Sequence, residues 1–547
     1  MRSSSRTPPT GGSFARRFTS YAGLFFDDFD ANSAWLRDRA TVQLPPLVGV
    51  KRLIVRGVVR AHPDARGAEA SVPGLRVAVN DSPVGELASP APGAWELQVP
   101  VPEAETVTLS LALTGVGFTN LLAWAGRVTG LAAWGHFRAQ KKNRQLRITT
   151  IMTDAGETVF DFSRRDSPYS ADYARRHARL GINIVGFLTA DLGVGESARC
   201  MVRAADAAGL PTALVALKLN CRNRLGDLTF AARLQEENPH DVNVVHVDPP
   251  AARDLDHHHG AAFRAGKYNI GYFAWELTEF PDAWTASFEY FDEIWCPSDF
   301  TAAAIREKSP LPVLTMPHAI AFARPPESTT ALRARLGLPA DRFLFLTLFD
   351  LNSYAERKNP RAVVEAFRLS GLSGRGAALV LKVQNVAGNE ADFAAMQASL
   401  RDLSDTVLLT ETLSRADLSA LEAACDCFVS LHRSEGFGLA VAECMYLGKP
   451  VIATDWSATA EFVTVDNGCP VRAPLVTLDR HHGPYAKGST WADPDPAHAA
   501  AHMRALFADR ALATRLGAAA RTTVEKHFAP AVIGARYRRR LETIATF

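Results

Sequence analysis

A chain of 547 residues, 47% apolar and 22% charged, has an ordinary globular composition and is too long for one core, so two to four domains are expected. A formal net charge of +2 excludes a strong polyanion-binding field, and no nucleic-acid partner is expected. No run of about 18 apolar residues is present, which excludes a membrane-spanning helix.

Residues 1–20 lack the apolar core of a signal peptide and read as a disordered tail, so a cytoplasmic location is expected. All seven cysteines follow residue 199 without metal-ligand spacing. Reduced core thiols are the expected state, including Cys425 and Cys427.

Residues 21–163 read as an antiparallel β-sandwich. Short strands are expected at Thr41–Leu44, Arg52–Arg60, Leu75–Asn80, Ala94–Val101, Val107–Thr114, Arg144–Thr153 and Glu157–Phe162. Turns such as Asn80-Asp81-Ser82-Pro83 separate them. The pattern is loosely similar to a carbohydrate-binding jelly roll. Trp35, Trp95 and Asn80 would then meet a sugar, although such tryptophans more often fill the core. Residues 118–144 break the pattern: Leu121, Leu122, Trp124, Leu131 and Trp134 precede Arg138, Lys141, Lys142 and Arg144. This is either a peripheral membrane contact, at the inner face of the membrane, or a helix packed on a neighbouring domain.

Residues 164–180 read as a linker. At Asn183 the pattern becomes strand, glycine loop, helix, strand, which marks a parallel doubly wound sheet. Ile184–Leu188 is the first strand, Asp191–Ser197 the loop and Ala198–Ala208 the helix. Further strands are expected at Val242–Val247, Tyr268–Phe273, Glu293–Cys296 and Val313–Met316, then a hinge at Arg324–Ser328. A second set follows at Phe343–Phe349, Ala378–Val383, Val407–Thr410, Cys427–Leu431 and Val451–Thr454. The fold class is therefore α/β: two Rossmann-like domains, 181–325 and 326–528, with a cleft between them. A last helix is expected within 529–547.

The most informative stretch is Ser434-Glu435-Gly436-Phe437-Gly438-Leu439-Ala440-Val441-Ala442-Glu443, followed by Leu447-Gly448-Lys449-Pro450. A buried strand precedes it, and a glycine turn then opens a helix whose free N–H groups suit a phosphate. Glu435 sits at the helix mouth and Glu443 about two turns in. By spacing alone, two acids on a solvated face are the commoner arrangement.

With its flanks, including Ala460-Glu461-Phe462-Val463 and Asn467-Gly468, the stretch resembles the nucleotide-sugar half of the retaining family 4 glycosyltransferases of GT-B fold, the Glu-x7-Glu type. The resemblance runs from about Phe343 to the C-terminus. It implies that Glu435 contacts the donor hexose and Glu443 the ribose. It also implies that a lysine following Asn352, here Lys358 with Arg357 as the weaker candidate, contacts the diphosphate. The implied catalytic set is Glu435, Lys358 and Arg357, and the donor-binding set Glu443, Gly436, Phe437, Gly438 and Lys382. Lys382 ends a strand, and a surface placement suits it equally. The cleft set is Gly193, Gly195, Glu196, Trp275 and Glu276, where Glu276 is either an acceptor-side group or a structural acid at a helix start. The resemblance further implies a nucleoside diphosphate sugar as substrate and a glycan or lipid-linked glycan of surface polysaccharide synthesis as acceptor, and no metal or other cofactor is expected.

Two departures stand out. Asn352 occupies a position where the family often has arginine, and Trp275-Glu276 a region where it often has histidine. They leave open a catalytically decayed glycan-binding or assembly protein. His318 reads as structural, and His257-His258-His259 as a solvated loop. Asp28-Phe29-Asp30 and Asp493-Pro494-Asp495 lack the strand that a metal-binding acid pair needs.

Overall fold

The structure, a computed structural model, describes residues 21–25, 32–44, 47, 49–60, 72–102, 107–115, 145–162, 180–221, 223–260, 263–265 and 267–545. The expected tail 1–20, the aromatic and basic segment 118–144, Asp28-Phe29-Asp30 and all but the last residue of the expected linker lie outside these. The chain divides into two compact units, 1–180 with 264–268 and 540–547, and 181–263 with 269–539.

The first unit carries an antiparallel sheet of nine strands: β1 (Tyr21–Phe25), β2 (Ala34–Leu44), β3 (Arg52–Val59), β4 (Gly74–Val79), β5 (Ser82–Leu87), β6 (Gly93–Pro100), β7 (Val107–Thr114), β8 (Leu146–Thr153) and β9 (Thr158–Asp161). The spatial order is β5-β4-β7-β2-β8-β3-β6, with β1 on β2 and β9 on β8. Strand β2 changes partner along its length, pairing through Arg39–Leu44 with β7 and through Ala34 and Trp35 with β8. Burial alternates along β3 and β7, the period-two signature of a sheet with one face on a core. Trp35 and Trp95 are both buried, and the Asn80 side chain accepts from the Thr108 amide at 2.8 Å. The expected turn over Asn80–Pro83 is shorter than its sequence suggested. Asn80 and Asp81 alone take positive φ, the hairpin conformation these residues tolerate, and Ser82 and Pro83 already belong to β5. Pro83 fits there because β5 is an edge strand.

The second unit holds two six-stranded parallel sheets. The first has the order β11-β10-β12-β13-β14-β15, from β10 (Ile182–Gly186), β11 (Thr212–Ala216), β12 (Val242–His246), β13 (Tyr268–Tyr272), β14 (Glu293–Cys296) and β15 (Val313–Thr315). The second has the order β18-β17-β16-β19-β20-β21, from β16 (Phe343–Asp350), β17 (Ala377–Gln384), β18 (Thr406–Leu409), β19 (Cys427–Ser430), β20 (Val451–Thr454) and β21 (Cys469–Val471). Along β16, Phe343, Phe345 and Phe349 enter one core and Leu344 and Leu346 another. Both faces are covered, which explains its unbroken apolar text. A short antiparallel hairpin, β22 (Leu475–Thr477) with β23 (Thr490–Ala492), interrupts the path from β21 to the next helix.

The helices are α1 (Gly193–Ala207), α2 (Leu255–His259), α3 (Asp299–Arg306), α4 (Thr329–Arg335), α5 (Ala355–Lys358), α6 (Pro360–Ser370), α7 (Glu390–Ser399), α8 (Arg415–Ala424), α9 (Leu439–Tyr446), α10 (Pro496–Ala508), α11 (Arg510–His527) and α12 (Pro530–Ile544). Two expectations are corrected here. Helix α1 begins at Gly193 rather than Ala198, because the Glu196 amide already bonds to Leu192 O at 3.0 Å. The three consecutive histidines lie in α2 rather than a loop, and His259 Nε2 accepts from the Lys218 amide at 3.0 Å. Helix α12 returns to the first parallel sheet, where Tyr537 stacks on Trp295 with centroids 5.2 Å apart.

Polar bonds join the two parallel-sheet halves. Asn223 Nδ2 donates to Asp350 Oδ2 at 3.1 Å, and Gln384 Nε2 to Asp191 O at 3.0 Å. The carboxyl ends of β16 and β17 thus face the loop after β10, the edge where ligands bind in open α/β sheets.

Candidate active site

The loop after β19 is fixed residue by residue. The buried His432 ring bridges Ser430 Oγ and Thr459 Oγ1, each at 3.0 Å, and burial pushes its pKa down to about 4. The Arg433 amide donates to Arg357 O at 2.7 Å, and Ser434 Oγ donates to Glu276 O. The Glu435 amide donates to Ser457 Oγ at 3.0 Å. Gly436 O accepts from Ser298 Oγ at 2.6 Å and Thr301 Oγ1 at 3.3 Å, both at the start of α3. Gly438 has φ +94°, and a Cβ there would stand 2.6 Å from Thr459 Cγ2, so conformation and space both require glycine. Helix α9 opens on this residue.

Arg357 and Lys358 lie on the single turn of α5. Asn359, in the left-handed conformation at φ 52°, ends that turn, and Pro360 opens α6. Lys358 Nζ lies 2.5 Å from Glu435 Oε1 and Arg357 Nη1 lies 3.3 Å from Glu435 Oε2. The three residues expected to be catalytic therefore meet in one cluster. Burial alone would raise the Glu435 carboxyl, but the charges of Lys358 and Arg357 overcome it and hold the pKa at about 2. Arg357 is 4% exposed, and its Nη1 also donates to Ser434 O at 2.9 Å. Its Nε has no hydrogen-bond partner among the described residues. Burial disfavours its charge, but Tyr485, Glu276 and Glu435 more than compensate and raise its pKa.

Glu443 faces a different group. It is 4% exposed and held by Arg415, with Nη2 at 2.6 Å from Oε1 and Nη1 at 3.2 Å from Oε2. Nearby Glu422 is buried, and desolvation followed by the Glu443 charge raises its pKa well above the usual carboxylate range. Glu196 on α1 pairs with Arg199 at 2.7 Å and with Arg203. Burial opposes its charge, yet Arg203, Arg415 and Arg199 hold its pKa far down. Arg415 thus links the Glu443 group electrostatically to the first parallel-sheet half.

Other expected residues fall into structural settings. Phe437 packs against His318, Phe462 and Phe528, with centroids 4.8, 5.5 and 5.3 Å away. Lys382 is buried rather than at the surface; Nζ donates to Val383 O at 3.2 Å, and burial lowers its pKa. Gly193 opens α1, and a Cβ on Gly195 would stand 2.6 Å from Phe187 O. Trp275 is buried, with Nε1 donating to Glu279 O at 2.8 Å. Glu276 reaches the cluster: Oε1 lies 3.8 Å from Arg357 Nη2, and Oε2 accepts from Tyr485 OH at 3.1 Å. His318 is buried against Tyr272 OH at 3.2 Å, and burial lowers its pKa to about 3. Asn352 Oδ1 accepts from Asn389 Nδ2 at 3.0 Å, away from the basic pair. Among the described residues no group of three or more His, Cys, Asp or Glu is placed to hold a metal ion. Asp493 pairs with Arg433 at 3.1 Å, and Asp495 caps α10.

Two residues escaped the sequence reading. Arg415 sits in the first turn of α8, where a cation opposes the helix dipole, and that anomaly was its signal. Tyr485 lies in the β22–β23 hairpin, a connection far longer than the usual two to six residues between a strand and a helix.

Residues 329–523 match the family described as Glycosyl transferases group 1. No curated protein sequence matches the chain. The structure is similar to that of Anabaena HepE in complex with UDP and glucose, at 14% identity and TM-score 0.50, over 66% of this chain and 100% of that one. It is equally similar to a glycosyltransferase from Rickettsia africae ESF-5, at 15% identity and TM-score 0.50, over 67% of this chain and 99% of that one. At such identities the likeness speaks for the fold. The chain therefore carries a glycosyl transferase group 1 domain over residues 329–523, within a GT-B fold.

Proposed function

We propose that the protein is a retaining hexosyltransferase of the family 4 type. It would move a hexose from a nucleoside diphosphate sugar to a hydroxyl of a glycan or lipid-linked glycan in surface polysaccharide synthesis, without a metal. The convergence of Lys358, Arg357 and Glu435 on the loop that opens α9 carries this reading. In the reaction the bond from the anomeric carbon to the diphosphate breaks. A bond from the acceptor oxygen forms on the same face, and the acceptor proton leaves with the diphosphate. Negative charge grows on the diphosphate, where Lys358, Arg357 and the amides of Gly436–Gly438 stabilise it. Glu435, ionised by its two cations, orients the hexose hydroxyls. Glu443, held by Arg415, accepts from the ribose hydroxyls. Closure of the two halves over the donor would exclude water from the cleft.

UDP bound to HepE supports a nucleotide-sugar partner of this kind. Further proposals are a carbohydrate contact through the N-terminal β-rich unit and a cytoplasmic location. Among the described residues no helix is long and apolar enough to cross a membrane. Calorimetric titration of UDP-, GDP- and ADP-sugars, with mass analysis of the product, tests the reading. Binding of one donor and release of its nucleoside diphosphate is expected. Binding of none would point instead to a decayed scaffold.

A further inference from the structure

The β22–β23 hairpin belongs to the second parallel-sheet half, yet its side chains enter the core of the first. Leu478, Tyr485 and Trp491 are buried in the cluster that holds Trp275, Phe280 and Phe288. The hairpin also grips the site from behind. The Ala492 amide donates to Arg433 O at 3.0 Å, and the Arg433 guanidinium lies 5.5 Å over the Trp491 ring. At the tip, a Cβ on Gly483 (φ +58°) would fall 2.1 Å from Tyr354 Cε1, so the backbone lies directly on that ring. Tyr354 itself has φ 66° and immediately precedes α5.

Tyr485 is the hairpin side chain that hydrogen-bonds to the charged cluster. It is 2% exposed, donates to Glu276 Oε2 at 3.1 Å and lies with its ring 5.9 Å from the Arg357 guanidinium carbon. Glu276 Oε1 remains 3.8 Å from Arg357 Nη2, beyond hydrogen-bond distance, and Arg357 Nε has no hydrogen-bond partner among the described residues. A buried guanidinium with unused donors beside a carboxylate held just out of reach is prepared for another anion.

We infer that Tyr485 is a positioning residue of the donor site, which restrains Glu276 so that Arg357 keeps donors free for the diphosphate. This rests on the donor-site reading above. Without the phenol hydroxyl, Glu276 turns to Arg357 and competes with the phosphate oxygens.

The test is calorimetric binding of UDP, GDP and ADP to the full chain. The diphosphate that binds the wild type should bind Y485F about tenfold more weakly, the size of one charge-assisted hydrogen bond. Adding E276Q to Y485F should restore most of the loss, because a neutral amide does not neutralise Arg357. E276Q alone, which leaves the hairpin intact, should bind at least as tightly as the wild type. Unchanged affinity in Y485F, a loss that E276Q fails to rescue, or weaker binding by E276Q alone would each overturn the inference while wild-type binding leaves the donor site standing. If the wild type binds none of the three, the donor-site reading and this inference fall together.

Discussion

Lys358 Nζ and Glu435 Oε1 stand 2.5 Å apart although 77 residues separate them, one on the turn after β16 and the other on the loop after β19. Those strands are neighbours in the parallel sheet, so their following loops open on the same edge. The pair is part-buried, which makes it stronger than a surface ion pair and more sensitive to loss of either partner.

Replacing Lys358 by glutamine should therefore lower kcat by about 10²- to 10³-fold, the usual cost of losing one group that stabilises developing negative charge. The fold should survive, since Arg357 still neutralises Glu435. Steady-state kinetics with the identified donor, beside a thermal melt, checks this; a near-normal kcat would remove Lys358 from the diphosphate site.

The pH dependence follows from buried groups of both kinds. Glu435, held at about 2, stabilises the fold fully above the ordinary glutamate pKa and loses that contribution as pH falls towards 2. Buried His432 and His318, lowered to about 4 and about 3, bind protons more readily when unfolded. Each costs up to about 1.4 kcal/mol per pH unit as pH falls below about 6.5. Stability should thus begin to drop near pH 6.5, well before Glu435 titrates. H318N should make the slope of Tm against pH shallower between pH 6 and about 4; an unchanged slope would show that His318 titrates normally.

How much of this was legible is uneven, for physical reasons. The parallel sheets were legible because strands covered on both faces, such as Phe343–Asp350, read as unbroken apolar runs. The loop was legible because a glycine turn follows a buried strand and Gly438 needs a conformation and a space that only glycine supplies, whereas its two glutamates were legible only through the family resemblance of the text around them. Glu443's partner was not. Arg415 lies 28 residues upstream, and nothing local ties a cation on α8 to an acid on α9. Tyr485 was illegible for the same reason, since its partner Glu276 lies 209 residues away. β5 was missed because Ser82 and Pro83 carry turn chemistry, which an edge strand accommodates.

The Arg415 pairing changes what a Glu443 substitution should do. On the sequence alone, alanine there would remove a ribose contact and leave the fold intact. In the structure, E443A deprives a part-buried guanidinium of both its carboxylate hydrogen bonds, with only the charges of Glu196 and Glu422 left to face it, and should cost about 1–3 kcal/mol. E443Q keeps the shape and one of the two acceptor oxygens, so it should destabilise less while weakening nucleoside diphosphate binding about tenfold. Chemical denaturation and calorimetry on both variants separate the two effects. Equal stability of E443A and wild type would contradict the buried pair.

Glu461 offers a test of how the two halves hold the site together. Its carboxylate accepts from the Phe300 amide at 2.7 Å and the Asp299 amide at 3.1 Å, while Ser298 Oγ accepts from the Thr301 amide at 3.2 Å. Three amides at the start of α3 are thus satisfied, two of them by a residue from the other half. The same Ser298 and Thr301 hydroxyls hold Gly436 O, so the end of α3 sets the position of the loop carrying Glu435. E461A should cost about 1 kcal/mol, as for loss of a helix cap. Amide exchange at Asp299 and Phe300 should speed up about fivefold. Because the loop is tied to the same turn, exchange at Gly436 and Gly438 should rise with it, and kcat/KM should fall more than the stability loss explains. Faster exchange confined to α3 would show that the helix start and the loop carrying Glu435 move independently.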